Sequence, residues 1–292
     1  MNSEAFLGYL FILPSLIGFI AFFAYPAVRS VYISTLEWNL LTPAKHVGDD
    51  NYQFIYHDER FREALKTTVY YVLYNIPLQT LLALMIAVMM DKVHNSSFLR
   101  GIFVLPWLLP NVVVALLWLW MMDPSLGIIN QALKQVGIGE QGFLGDPDQV
   151  IQSLAAINIW RHAGYTSILV FAGLKTIPKG LYEAAAIDGA GEIQKFLRIT
   201  IPLLRPVLSF VLVTSVIGSF QVFDTIAITT EGGPAGSSRV ILYYIYEQVF
   251  ERRIHMGTAS AASVVLFLIL FTVTAIQMTF LRAGKSDLAE YS

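Results

Sequence analysis

Of 292 residues, 55% are apolar and only 14% charged, with a mean hydropathy of +0.60, whereas a soluble domain carries about a quarter charged residues; the composition excludes an ordinary soluble fold and points into lipid. A net charge of -2 lacks the excess of Lys and Arg that a phosphate-binding surface needs and gives no sign of a nucleic-acid partner. Cys is absent, so disulfides and thiolate metal sites are excluded and the redox compartment is left open.

Crossing about 30 Å of hydrocarbon takes roughly 20 mostly apolar residues as a helix. The first such stretch runs from Ala5 to Val28. It is longer than the apolar core of a secretory signal, no basic residue precedes it, and "FAYPAVRS" offers no clean small-residue cleavage site, so it reads as a retained helix. The missing basic start is unusual for a cytoplasmic N-terminus and also fits a trimmed one. The second span, Thr67 to Met90, carries Asn75 and Gln79 around Pro77 as weaker pathway candidates.

The third span, Gly101 to Met122, contains Pro106 and Pro110 one turn apart. Each proline removes a helical hydrogen bond, and helices broken at membrane depth usually line a cavity. Asn111 is therefore a pathway candidate, with plain kinking as the alternative; Trp118 and Trp120 read as interfacial anchors. The fourth span, Val150 to Leu174, requires accepting Arg161, which stands beside Asn158 and Trp160. The fifth, Pro206 to Thr230, requires accepting Asp224, which stands near Gln221 and Thr225. Polar groups at membrane depth are costly unless they face a cavity or each other, so Asn158, Trp160, Arg161, Gln221, Asp224 and Thr225 join Asn111 as candidates for the solute pathway. The alternatives are snorkelling or a bond to backbone carbonyls for Arg161, and a helix cap or an arginine partner for Asp224. The sixth span is Met256 to Leu281. The expectation is an all-α, polytopic membrane protein with six transmembrane helices in one domain over residues 1–292. The apolar runs are continuous, not alternating, which argues against a barrel.

Six spans put both termini on one side. The loops on that side carry as many Lys and Arg as the opposite loops over a shorter length, which places them, and the termini, in the cytoplasm.

Some soluble-protein signals fail on inspection. "AGKS" at 283–286 has Thr279 where a phosphate loop needs its first glycine. His46, His57, His94, His162 and His255 lack metal-ligand spacing, so no metal site is expected. "NSS" at 95–97 fits a glycosylation acceptor but falls in a short cytoplasmic loop. No nucleophile elbow and no paired membrane carboxylates suggest catalysis.

The loop at 175–205 is neither span nor simple connector. Pro178 and Pro202 should mark helix boundaries. A first helix at about Lys179 to Ile187 contains Ala184, Ala185 and Ala186; "DGAG" follows, where Gly189 and Gly191 can adopt positive φ. In a second helix Ile193, Phe196, Leu197 and Ile201 form an apolar stripe opposite Glu192, Lys195 and Arg198. The result is a two-faced helical hairpin, which composition alone allows either to dock on a partner or to lie in the membrane interface.

"EAAAIDGAGEIQKFLRITIPLLRP" resembles the EAA motif of permease subunits of bacterial ATP-binding-cassette importers: Glu183, Ala184, Ala185, Gly189, Ile199 and Pro202 match, and Asp188 and Ala190 extend the fit. "YLFILPSLIGFIAFFAYPAVRSVYIS", "LRGIFVLPWLLPNVVVALLWLWMMDP", "LKTIPKGLYEAA" and "SFQVFDTI...TEGGPA" are similar to the carbohydrate-type branch, which includes maltose and glycerol-phosphate permeases, so nearly the whole chain is covered. The chain departs from that branch in lacking the basic N-terminal tail, and it has neither the extra helices nor the large external domain of the maltose permease. The resemblance implies that the hairpin is a coupling helix, with Glu183, Ala184, Ala185, Asp188, Gly189, Ile199 and Pro202 facing or shaping the contact with an ATPase subunit. It further implies a second related permease, two ATPase subunits carrying ATP and Mg, an external solute-binding protein, no cofactor on this chain, and a bacterial or archaeal plasma membrane. Importers of the same superfamily for polyamines, phosphate or metal remain an alternative, as does, more distantly, a secondary transporter driven by an ion gradient; no internal repeat supports the latter.

Overall fold

A computed structural model describes residues 3–92, 97–251 and 255–281 of the protein. The sequence features at residues 94–96 and 283–286 lie outside the described residues. The helices are α1 (Ser3–Phe19), α2 (Tyr25–Ile33), α3 (Asp50–His57), α4 (Glu59–Lys92), α5 (Ser97–Leu108), α6 (Asn111–Met121), α7 (Ile128–Gln135), α8 (Val150–Leu174), α9 (Lys179–Ile187), α10 (Glu192–Lys195), α11 (Ile201–Leu203), α12 (Arg205–Phe220), α13 (Asp224–Thr229), α14 (Ile241–Tyr246) and α15 (Met256–Leu281). A short antiparallel pair, β1 (Leu36–Glu37) and β2 (Lys45–His46), places Leu36 opposite His46.

The chain divides into two compact units: Met1–Arg62 with Tyr244–Ile269, and Glu63–Tyr243 with Leu270–Ser292. In the first, α1 passes through a π-turn at Ile20–Ala24 into α2, and Asn51 organises the polar end. Its amide donates to the carbonyls of Ser34 and Leu36, at 2.9 Å each, and accepts from Thr258 at 3.2 Å. Gly257 packs so tightly there that a Cβ would lie 1.8 Å from the Leu36 carbonyl oxygen. Tyr244 donates its phenol to Asp58 at 2.7 Å; burial, reinforced by that carboxylate, pushes the phenol well above the ordinary tyrosine range.

The second unit is built around α8. Thirteen of its 25 residues are buried, so about half of the helix that bears Asn158 and Arg161 packs against protein. Gly164 meets α5 so closely that a Cβ would stand 1.7 Å from the Phe103 carbonyl oxygen. Further along, Ala163, Val170 and Phe171 pack with Ile86, Ala87 and Met90 of α4 and with Leu204 and Val211. A buried polar network ties α4, α8 and α12 together. Asn75 donates to Ser219 at 2.8 Å, Asn158 donates to Asn75 at 2.9 Å, and Gln79 donates to Thr166 at 3.2 Å. In a membrane such bonds contribute about 0.6–2 kcal/mol each.

Among the described residues, four helices are long and apolar enough to cross a membrane by themselves: Gly8–Ile33, α4, the α12–α13 run Arg205–Thr229, and α15. The expected third span is not one rod: α5 and α6 meet at 91°, because Pro110 has no amide hydrogen with which to continue the ladder. The expected fourth span keeps its bounds as α8 but is not among the lipid-suited helices. The expected fifth is interrupted at 221–223.

The packing generates a paired test. Gly164→Ala forces overpacking against backbone, which costs about 1–3 kcal/mol or more, so the detergent-solubilised variant is expected to melt well below the parent. Gly218→Ala, where an added Cβ meets nothing within 4 Å, is expected to match or exceed the parent, by up to about 1 kcal/mol from helix propensity. Equal melting of the two variants would contradict the contact.

Candidate functional site

Two helix breaks lie side by side. Asn111 opens α6 after Pro110, and Asp224 opens α13 after the break at 221–223. The Asn111 amide donates to the Asp224 carboxylate, joining the two helix starts, where partial positive charge favours an anion. At the first break, Arg161 of α8 donates to the carbonyl of Leu109 at 3.1 Å, taking the place of the helical donor that the bend withdrew. Arg161 is also attracted electrostatically by Asp224. For Arg161 the foreseen bond to a backbone carbonyl is present; Asp224 is not a helix cap, since Phe223 occupies that position without a side-chain cap bond, and the arginine near it is Arg161.

Around this junction Trp118 and Trp160 meet edge to face at 5.5 Å. Buried, unpaired polar atoms remain on the inner side: Asn111 Oδ1, Trp118 Nε1 and Arg161 Nε. Asp224, Gln221 and Trp160 are exposed, while Asn111, Arg161 and Thr225 are half-buried. Asn158 stands apart from the junction, held in the Asn75 and Gln79 network. Trp118 belongs to the junction instead of serving only as an interfacial anchor. Sequence reading missed Trp107 and Tyr165, which stack at 4.5 Å on the facing surfaces of α5 and α8. Their one legible signal was position, since Trp107 lies between Pro106 and Pro110 and Tyr165 one turn past Arg161.

The hairpin forms as expected in outline. Pro178 caps α9, and α9 ends in a Schellman motif, with Gly189 N donating to Ala186 O at 3.1 Å and Ala190 N to Ala185 O at 2.8 Å. Gly189 takes φ +78°, the left-handed conformation the motif requires. Gly191 does not: at φ -71° it is the cap of α10, with its amide bonded to Gln194 Oε1 at 3.2 Å. Nor does Pro202 end the second helix. A π-turn at Phe196–Thr200 bonds Ile201 N to Phe196 O, and the chain passes through α11 before turning at buried Leu204. In that widened turn the missing amide of Pro202 costs little.

Glu183, Ala184 and Asp188 are exposed, Ala185 and Ile199 half-buried, and Pro202 exposed. The expected apolar stripe divides: Phe196 and Ile201 are half-buried, whereas Ile193 is 75% exposed and Leu197 59%. With Ile187, 87% exposed, they leave the tip of a charged loop apolar and uncovered. Tyr182 and Thr200 join the two arms at 2.9 Å, and Lys175 pairs with Asp91 of α4 at 2.7 Å.

Residues 57–285 match the family described as the binding-protein-dependent transport system inner membrane component. The chain belongs to that family. This permease is 33% identical over 293 residues to the probable ABC transporter permease protein YurN of Bacillus subtilis, covering 98% of this chain and 100% of that one. It is 32% identical over 286 residues to the trehalose/maltose transport system permease protein MalF of Thermococcus litoralis, covering 97% and 95%. Similarity to the sn-glycerol-3-phosphate permease UgpA of Agrobacterium fabrum is 33% over 281 residues, 94% of each. Among solved structures, a bacterial ABC transporter involved in the import of alginate superposes with TM-score 0.80 at 26% identity, covering 97% of both chains. A complex of the alginate transporter with its pentasaccharide-bound periplasmic protein gives 0.84 at 24%, covering 97% and 96%, which shows the fold. The permease is a multi-pass membrane transport subunit.

The junction makes a stability prediction. Arg161→Gln leaves the Leu109 carbonyl without its donor at a site of partial burial, and is expected to cost about 1–3 kcal/mol. Asp224→Asn, at an exposed carboxylate, is expected to cost less. Thermal unfolding of both in the same detergent checks the order, and a stabilised Arg161→Gln would contradict the assigned bond.

Proposed function

We propose that this permease forms one half of the translocation pathway of an ATP-driven importer for a sugar or a related hydroxylated solute. The observation that carries the reading is the hairpin at 179–203: an exposed apolar tip on a fixed glycine turn, attached directly to α8 and α12. Uncovered Ile187, Ile193 and Leu197 beside the Glu183 carboxylate form a surface suited to a groove on an ATPase subunit, which would carry the ATP and Mg. The chain itself binds no cofactor in this reading. One hairpin per chain calls for a second, related permease and two ATPases. The names of the relatives, with trehalose, maltose and glycerol phosphate among their solutes, support a hydroxylated cargo handed over by an external binding protein. The hairpin and both termini then lie in the cytoplasm of a bacterial or archaeal cell.

In mechanism, ATP binding would draw the hairpins together. Motion enters α8 and α12, and the polar network of Asn75, Gln79 and Asn158 passes it to α4. The junction of Asn111, Arg161, Gln221, Asp224 and Thr225, with the Trp160 ring, would face the moving solute and alternate between the two membrane sides.

In vesicles the permease without ATPase is expected to transport nothing; uptake driven by an ion gradient alone would end the importer reading. A Cβ at Gly189 would meet no atom within 4 Å, so the expected effect of Gly189→Val is chiefly backbone strain of about 1–2 kcal/mol or more at positive φ. The variant should insert normally yet lose solute-stimulated ATPase activity. Glu183→Ala removes a charge-assisted contact typically contributing about 1.5–3 kcal/mol, so ATPase assembly measured by co-purification should fall about tenfold or more, with the binding protein's solute affinity unchanged. A changed solute preference with intact assembly would reassign the hairpin.

A further inference from the structure

At the end of α4 opposite the hairpin lies a cleft of about 530 Å³, within the usual range for small-molecule sites. Its α4 wall, Glu63 to Tyr74, stands about 25–40 Å along the helix from Asp91, at 1.5 Å per residue. One wall is α4, presenting Glu63, Lys66, Tyr70 and Tyr74; another is the start of α8, with Asp148 and Gln152. The chemistry is mixed in a specific way. Two carboxylates accept hydrogen bonds, an ammonium and an amide donate them, and two partly exposed tyrosine rings offer flat apolar faces, with Lys66 Nζ held 5.8 Å from the Tyr70 ring centre. A neutral, hydroxyl-rich ring needs this combination, because its hydroxyls both donate and accept while its C–H faces are apolar. Two carboxylates line the cleft against one ammonium, and the Arg239 guanidinium stands behind Gly236, so the charges balance and no excess of positive charge selects an anionic solute.

The third wall is the loop containing "TEGGPA", whose role the coupling and junction readings leave open. Glu231, Gly232, Ala235 and Gly236 have φ of 49°, 78°, 51° and 86°, and two of the four are side chains that rarely adopt such angles. The loop is fixed in this shape by Thr230 on Ser238 at 2.7 Å, by Ser237 N on Pro234 O at 2.9 Å, and by Ile241 N on the Thr68 hydroxyl of α4 at 2.8 Å. A Cβ on Gly232 would stand 2.8 Å from the Tyr243 ring. Backbone held this far from its relaxed state is characteristic of sites where shape is used.

We propose that this cleft is an outer receiving site for a neutral, hydroxyl-rich solute, occupied before the solute reaches the polar junction at the helix breaks. The proposal rests on the importer reading for its side of the membrane. Because the chain contains no Cys, single reporters are available: Gln152→Cys and Ser237→Cys, each in the complete transporter in intact cells lacking the binding protein, treated with a membrane-impermeant maleimide. The expected result is labelling from outside that millimolar trehalose or maltose slows several-fold and glycerol 3-phosphate does not. Adding Tyr70→Ala, or Tyr74→Ala if the first fails to insert, should remove the protection without changing the unprotected rate. Labelling only after permeabilisation, no protection by either sugar, equal protection by glycerol 3-phosphate, or protection that survives loss of the rings would each overturn the site. So would shielding by added binding protein that is the same with and without sugar, which would mark a protein-docking surface. The importer reading fails by a different result, uptake without ATP, which leaves the labelling pattern untouched.

Discussion

The bond from Arg161 to the Leu109 carbonyl answers a demand that hydrocarbon makes of any chain: a backbone polar group released from a helix must find another partner. Pro110 releases it, the chain turns through 91°, and a guanidinium from the neighbouring helix takes up the acceptor. The consequences spread from there. The turn carries Asn111 to the start of α13, so the amide of one helix start meets the carboxylate of another. A charge is retained beside the bend because it holds the bend.

Helix α8 is the part against which everything else in its unit is set. On one side Gly164 admits the α5 backbone; on another, Asn158 and Thr166 bond to α4; toward the hairpin, Gly173 would touch Leu204 and Val207 if it carried a Cβ. Small residues allow close approach and polar residues fix the register, so α8 is positioned by shape and by hydrogen bonds, the two forces that remain between helices once lipid has cancelled the hydrophobic term.

The sequence made the long lipid-facing helices legible, since twenty apolar residues in a row have few other uses. The bounds expected for the last span, Met256 to Leu281, match α15, and Gly189 was readable because only glycine accepts its φ without strain. What was lost depended on neighbours. The direction of the turn at Pro110 is decided by α8 and α13, not by the proline. Pro202 looked like a stop because its missing amide matters in an α-helix, whereas the π-turn before it makes that absence inexpensive. The polar character of Asn75 and Gln79 was visible, but their burial against Ser219 and Thr166 was not, since the partners lie more than eighty residues away. Trp107 and Tyr165 were overlooked for the same reason: a ring stack between two helices leaves no periodic trace in either.

The π-turn at Phe196–Thr200 has an evolutionary corollary. A π-turn is an α-helix with one residue inserted, and each residue advances a helix by about 100°. Deleting any single position between Gly191 and Leu204 would let the helix relax to ordinary α geometry and swing the hairpin tip, with Ile187 and Ile193, to a different compass bearing around the axis. A substitution at an exposed position of this stretch is a local event, whereas a change in its length would be felt at the far end of the hairpin, as a rotation of the whole apolar tip.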